Sequence, residues 1–449
     1  VSKPQGDNGG MRLVRRALRS STTPDRALLL LDRRARAHGL AAPAALTGQW
    51  FGARAVLAPT VDIAAVTGAD AAFAVPAGQP AVRDAVPGAV GGGWFGYLSY
   101  DLTDPSGRRG ALPAAGWGWA DHVLRLDADG LWWFEALVPD GAPDPASLAE
   151  ELDSALSSDA PVPTWRPATL DRPLPAEHHA AVKACVHAIE SGELFQANIC
   201  TRFTGRFDGE PSALFAEGVR TLRPGRGAYL AGDWGAVVSM SPELFLARSG
   251  RRVHSTPIKG TLPRRGAADD ALARRLREST KDVAENVMIT DLVRNDLGRV
   301  CTVGSVTVPE LLAVRAAPGV WHLHSTVRGT LPAGTTDAEL LRATFPPGSV
   351  TGAPKIRALD LIAELETAPR GGYTGAVGLA SPIAGLELNV AIRTFELRGG
   401  TLELGVGGGI TADSDAAAEW QECLHKAAPL EWLLASPGRE TREPPGGRS

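Results

Sequence analysis

The sequence contains little lysine. Of its 46 Lys and Arg residues only Lys3, Lys183, Lys259, Lys281, Lys355 and Lys426 are lysine, so arginine supplies nearly every cation. A retained lysine therefore invites chemistry that a guanidinium cannot perform, because an amine can lose its proton and attack an electrophile. Basic excess is missing too. A formal charge of −4 over 449 residues offers nothing to a nucleic-acid backbone, and no nucleic-acid partner is expected. No apolar run reaches the roughly 18 residues of a membrane span, and ALLLLDRR meets charge after five. VSKPQGDNGGMRLVRR has no apolar signal-peptide core, so the expectation is a cytoplasmic protein with no membrane contact. The four cysteines, Cys185, Cys200, Cys301 and Cys423, form no C-x-x-C pair and read as reduced packing residues.

What is present describes a globular enzyme-sized chain, 44% hydrophobic and 21% charged. Residues 1–10 form a polar lead and residues 436–449 a Pro, Gly and charge-rich tail, both expected to be disordered. Residues 11–156 form an N-terminal region of short apolar runs such as GGGWFGYLSY and GLWWFEAL, mostly strand. Residues 157–175 carry five prolines and read as a connector to a second region, 176–435. There AEHHAAVKACVHAIESGE has helical spacing, and LFQANICTRF alternates as a strand. One long helix is predicted from DDALARRLREST through KDVAENVMITDLVRNDLG. Another follows TGAP, and a last one begins near Asp413 to Asp415. LELNVAIRTFELRGGTLELGVGGGI reads as a hairpin turning at Gly399 and Gly400.

Asp282 and Glu285 are three apart on one predicted helix, and Glu419 and Glu422 three apart on another, so each pair shares a face. Each pair is either a solvated face or half of an acidic cluster. If the pairs converge, like charges about 4 Å apart repel by roughly 4 kcal/mol at an effective dielectric of 20, and the cluster needs a cation. Carboxylates without His or Cys favour Mg²⁺ that keeps several waters. Arg393 alternates with Ala391, Phe395 and Leu397, which places it on the apolar face of a strand. It then needs an anion, either a structural carboxylate or a substrate carboxylate. GGGWFG lacks the following helix of a dinucleotide site, and GSVTGAPK lacks the Gly-Lys-Ser/Thr ending of a phosphate loop.

Taken together, PIKGT, AENVMITDLVRNDLGRV, FPPGSVTGAPKIRALDLIAELE, IRTFEL and GVGGGITADSDAAAEWQE resemble, in order, the motifs of the chorismate-utilising enzymes. The resemblance is to the aminodeoxychorismate synthase component I branch, related to anthranilate synthase component I, and covers about residues 171–434. It implies an α/β (α+β) anthranilate-synthase-type fold of two packed β-sheets with helices outside, and places the chorismate-binding catalytic region in residues 176–435. It implies Mg²⁺-dependent amination of chorismate to 4-amino-4-deoxychorismate, a first step shared by p-aminobenzoate and folate formation and by specialised metabolism. Glu285 and Glu422 match the metal ligands, with Asp282 and Glu419 as outer-shell carboxylates. Lys259 matches a nucleophile that attacks C2, Glu243 the acid that protonates the departing C4 hydroxyl, and His322 a histidine near the leaving group. Arg393, Tyr373, Thr351, Gly407, Gly408, Gly409 and Lys426 match substrate-holding positions.

Gln196 stands where water-activating relatives carry a lysine, which disfavours attack by water. None of the four cysteines lies in a G-x-C-x-G glutaminase motif, so ammonia is expected from a separate glutaminase subunit. Anthranilate synthase component I is the alternative reading. In that branch a small residue takes the place of Lys259.

Overall fold

The computed structural model describes residues 10–161, 163–264 and 266–438. The lead and tail expected to be disordered fall outside the described residues, apart from Gly10 and residues 436–438. Apolar and aromatic runs form strands, and the strands assemble into sheets of 13 and 10 members. The pairings are antiparallel except for Met11–Ala17 beside Val82–Arg83.

The two sheets pack face to face. Ala44, Leu46, Trp50 and Val56 of the first meet Phe95, Tyr97, Val377 and Leu379 of the second in one buried cluster. Each large side chain buried there contributes about 1.5–3 kcal/mol. Helices cover the outer faces. Pro24–Ala37, Ala146–Leu156, Pro211–Leu222 and Ala416–Ala435 lie over the first sheet, and Thr280–Gly298 and Asp337–Thr344 over the second. This is the expected α+β arrangement. Stretches 11–156 and 176–435 share both sheets, since Ala44–Trp50 pairs with Arg226–Gly232, and Gly93–Leu98 pairs with Ala376–Ser381.

The helices around the site follow local signals. Pro175–Glu190 begins on a proline, and Ala416–Ala435 is capped by Asp415, whose side chain accepts from Ala418 N at 2.9 Å. The single long helix predicted from Asp269 to Gly298 is two helices, Asp270–Glu278 and Thr280–Gly298. The break is Ser279, which leaves helical geometry and accepts a hydrogen bond from Asp282 N at 3.2 Å. A serine in that role starts a helix rather than continuing one.

Two passages of the chain between the sheets position the site. Gly235–Ser239 belongs to the first sheet and Leu244–Ser249 to the second, with Glu243 closing the link. Gly385–Val390 belongs to the second and Thr394–Arg398 to the first, with Arg393 in the link. The links are tied together: Met240 N donates to Arg393 O at 2.9 Å, and Val390 N to Glu243 O at 3.0 Å. This corrects the reading of AIRTFEL as one strand. Arg393 precedes the strand and adopts a left-handed φ of 51°, a conformation costing a non-glycine residue about 1–3 kcal/mol.

Candidate active site

Glu243 and Arg393 meet where the two sheets part. The Glu243 carboxyl is 4% exposed, and burial lifts its pKa to about 6 against the opposing pull of a Ser349 hydrogen bond, Lys259, the Ile258 N–H and Arg393. Ser241 Oγ accepts from Glu243 N at 3.2 Å and fixes the turn. Burial lowers the Arg393 pKa, and Glu243 is the carboxylate that opposes it. The structural-carboxylate reading of Arg393 finds no ion pair among the described residues; the guanidinium remains available to an external anion.

Lys259 lies on the strand Ile258–Pro263 at one end of the second sheet, paired with Val320–Thr330. Its side chain is half-buried, and Lys259 is among the cations that draw down the pKa values of Glu243, Glu285 and Glu422. The glycine after it is required by geometry. Gly260 has φ +91°, and a Cβ there would lie 3.1 Å from Asp282 Cβ and Cγ. That close approach seats the first turn of Thr280–Gly298 on the lysine strand. Two residues further on, Thr261 Oγ1 lies 2.9 Å from His322 Nδ1. Burial, with Arg393 and His324, lowers His322 to about 4, so its imidazole is neutral at neutral pH.

Three of the four carboxylates, Glu285, Glu419 and Glu422, converge around the last glycines of the strand Thr401–Ile410, while Asp282 packs on Gly260. A Cβ at Gly408 would lie 3.0 Å from Glu419 Oε2 and 3.6 Å from Glu422 Oε1, and one at Gly409 would lie 2.2 Å from Gln196 Nε2 and 3.4 Å from Glu285 Oε2. Glycine is what lets these side chains gather over the backbone. Burial, with Glu422 and Asp282, outweighs Lys259 and Lys281 and raises the Glu285 pKa. At Glu422 burial acts upward as well, but Lys426, Lys281 and Lys259 prevail and the net shift is downward. Lys426 pairs with Glu422 at 2.7 Å and donates to Gly407 O at 2.8 Å.

The donor set fits a hard cation. Glu419 is 3% exposed and its Oε2 has no hydrogen-bond partner, nor has the buried Gln196 Oε1. A carboxylate oxygen left unpaired at such burial is costly, and a cation offsets that cost. Among the described residues no group of three or more His, Cys, Asp or Glu side chains forms a ready metal cage. A cation held here would have to take much of its shell from water or a substrate, as Mg²⁺ commonly does.

Two expected substrate contacts sit one layer back. Thr351 Oγ1 donates to Gly348 O at 3.1 Å and thus closes its own turn. The buried Tyr373 packs its ring against Gly405. Sequence reasoning missed Lys355, which is buried and donates to Asp296 Oδ2 at 2.6 Å, Thr344 O at 3.0 Å and Pro346 O at 2.8 Å. It ties down the loop that brings Ser349 to Glu243. Lys281 and Ser414, both on the acidic cluster, were also missed.

Known proteins are similar to this chain in sequence and in fold. An aminodeoxychorismate synthase component 1 from Klebsiella aerogenes is 44% identical over 264 residues, 58% of each chain. Such matches cover 58, 55 and 53% of three component 1 proteins, so this chain spans little more than half their length. An anthranilate synthase component I-like protein from Synechocystis is 36% identical over 352 residues, 76% of this chain and 72% of that one. The crystal structure of anthranilate synthase component I from Streptococcus pneumoniae superposes with a TM-score of 0.70 at 27% identity, covering 86% of this chain and 90% of that one. The family model of chorismate binding enzymes matches residues 48–431, and the chain belongs to that family.

Proposed function

We propose that this chain aminates chorismate at C4 with ammonia, giving 4-amino-4-deoxychorismate and water. The reading is carried by the placement of Lys259 on the strand whose next residue, Gly260, packs against Asp282 at the start of the Glu285 helix, near both the Glu243 acid and the carboxylate cluster. The names of the component 1 relatives support the same chemistry.

In this scheme the neutral Lys259 amine forms a bond to C2 of the ring. Both ring double bonds shift, from C1=C2 and C5=C6 to C1=C6 and C4=C5, and the C4 hydroxyl departs as water after taking the proton of Glu243. Ammonia then adds at C4, the two double bonds return as the C2–Nζ bond breaks to restore the lysine amine, and the proton shed by the new C4 ammonium returns to Glu243. Mg²⁺ held by Glu285 and the Glu419 and Glu422 pair would bind a substrate carboxylate and offset the charge of the acidic side chains. Arg393 is suited to the second carboxylate, by the two-point geometry of a guanidinium. Neutral His322 offers a hydrogen bond near the leaving oxygen without adding charge. Gln196, buried and unable to act as a base, keeps water from being activated at that position. A separate glutaminase subunit would deliver the ammonia.

Anthranilate formation is the second reading, favoured by the extended likeness to anthranilate synthase component I. Incubation of the purified chain with chorismate, Mg²⁺ and ammonium, with products identified by mass spectrometry and fluorescence, decides between them. Aminodeoxychorismate is the expected product. Fluorescent anthranilate together with pyruvate as the main products would overturn the assignment of Lys259.

A further inference from the structure

We infer that Lys281, with Ser414, is a positioning device for the metal-binding carboxylates: it holds their outer oxygens so that the inner ones face the glycine floor. The inference rests on the metal site of the proposed function and adds residues to it.

Each acidic side chain of the cluster has two oxygens, and the structure treats them differently. Lys281 Nζ lies 4.0 Å from Glu285 Oε1 and 3.4 Å from Glu419 Oε1. Ser414 Oγ donates to that same Glu419 Oε1 at 2.6 Å. The opposite oxygens point elsewhere. Glu419 Oε2 faces Gly408 with no partner, and Glu285 Oε2 lies 3.4 Å from where a Cβ of Gly409 would be. Lys281 thus sits on one oxygen of each carboxylate, and the other oxygen of each lies over the glycines.

Lys281 can do this because of its position. It is one helical turn before Glu285, the spacing at which side chains on one helix meet, and its stem also reaches Glu419 on a helix 138 residues away in sequence. Its side chain is half exposed, so its charge escapes the full cost of burial. Ser414 is itself anchored, since its Oγ accepts from Thr411 N at 3.1 Å in the turn that leads from the glycine strand into the Glu419 helix. A carboxylate whose outer oxygen is fixed by two donors has little freedom to rotate, and outer partners of this kind set how well ligands hold a metal.

The opposite role makes the opposite prediction. An ammonium that merely filled the metal position would compete with the cation, and its removal would tighten metal binding. Removal of a clamp loosens it.

The test is direct titration of the substrate-free full chain with Mn²⁺ by electron paramagnetic resonance, with Mg²⁺ as competitor. The variants are Lys281→Met, Lys281→Arg and Ser414→Ala, each checked by thermal melting in chelator. Binding by Lys281→Met weakened about 10-fold or more, with Lys281→Arg within about threefold of the parent and Ser414→Ala between them, supports the clamp. If the parent binds Mn²⁺ and Lys281→Met binds equally or more tightly, the clamp is wrong and the metal site stands. If the parent binds no Mn²⁺, the metal site fails and the clamp falls with it. Weakening that Lys281→Arg fails to restore also overturns the clamp, because charge at that position would then not be what matters.

Discussion

Replacing Gly408 by alanine adds one methyl group to the acidic cradle and separates the site from the fold. The backbone permits it, because Gly408 lies in a strand outside the left-handed region. The space does not: the new Cβ would sit 3.0 Å from Glu419 Oε2, whereas ordinary carbon contacts begin near 3.5 Å. The oxygen must retreat by about half an ångström, yet its partner oxygen is fixed by Ser414 and Lys281. Mg²⁺–oxygen bonds are about 2.0–2.1 Å and tolerate little deviation, so a shift of this size should weaken metal binding about 10- to 100-fold. That is about 1.4–2.8 kcal/mol. Gly407→Ala is the control. Its Cβ would meet Ile199 O at 2.6 Å and Cys200 Cα at 2.9 Å, backbone atoms that cannot step aside, so the loss there should appear as about 1–3 kcal/mol of stability. Mn²⁺ titration alongside thermal melting distinguishes the two. Parental metal affinity together with an unchanged melting temperature in Gly408→Ala would refute the assignment of the glycine floor to a metal cradle.

The remaining predictions concern the acid, the amine and one buried ion pair. Lys259→Ala should still bind chorismate by calorimetry while aminodeoxychorismate formation falls by at least on the order of 100-fold; unchanged turnover would remove the covalent step. Glu243 must be protonated to act and is held at about 6, so its contribution is present below that pH and is lost as pH rises through it. The falling limb of kcat/KM near pH 6 should vanish in Glu243→Gln, with activity lower by about 10²–10⁴-fold, and a limb that persists would assign the proton elsewhere. Lys355→Met leaves Asp296 buried without its cation, and should cost about 3–5 kcal/mol in denaturant unfolding; a loss below about 1 kcal/mol would show that the pair is not sustaining the loop.

Much of the site was legible because its residues lie on periodic elements with clear ends. The spacing of Glu419 and Glu422 after the cap at Asp415 reads directly as one face of a helix, and the structure places both over Gly408. Asp282 and Glu285 were legible in the same way, although the break at Ser279 was not, since the apolar rhythm runs through it and only the serine marks the new start. Arg393 was expected on the apolar face of a strand, whereas the structure sets it, part-buried, in a link between the sheets. Period-two alternation continues across a link between sheets, and nothing local announces that the strand has ended. Lys281, Ser414 and Lys355 act across 138, 5 and 59 residues respectively, and only the fold brings the two lysines to their partners. A usable signal existed nonetheless. In a chain with six lysines, four of them, Lys259, Lys281, Lys355 and Lys426, stand in or behind this one pocket.

The interleaving of early and late strands constrains how the protein is made. Gly93–Leu98 must await Ala376–Ser381, and Ala44–Trp50 must await Arg226–Gly232. At a synthesis rate of 5–20 residues per second the first of these waits lasts roughly 15–60 s. During that time the aromatic run GGGWFGYL is on a nascent chain whose second sheet is unfinished, and contacts this distant in sequence also close slowly. Chaperone protection should therefore matter most until the ribosome has completed Ala376–Ser381, and a transcript truncated before residue 376 should yield aggregate instead of a stable fragment.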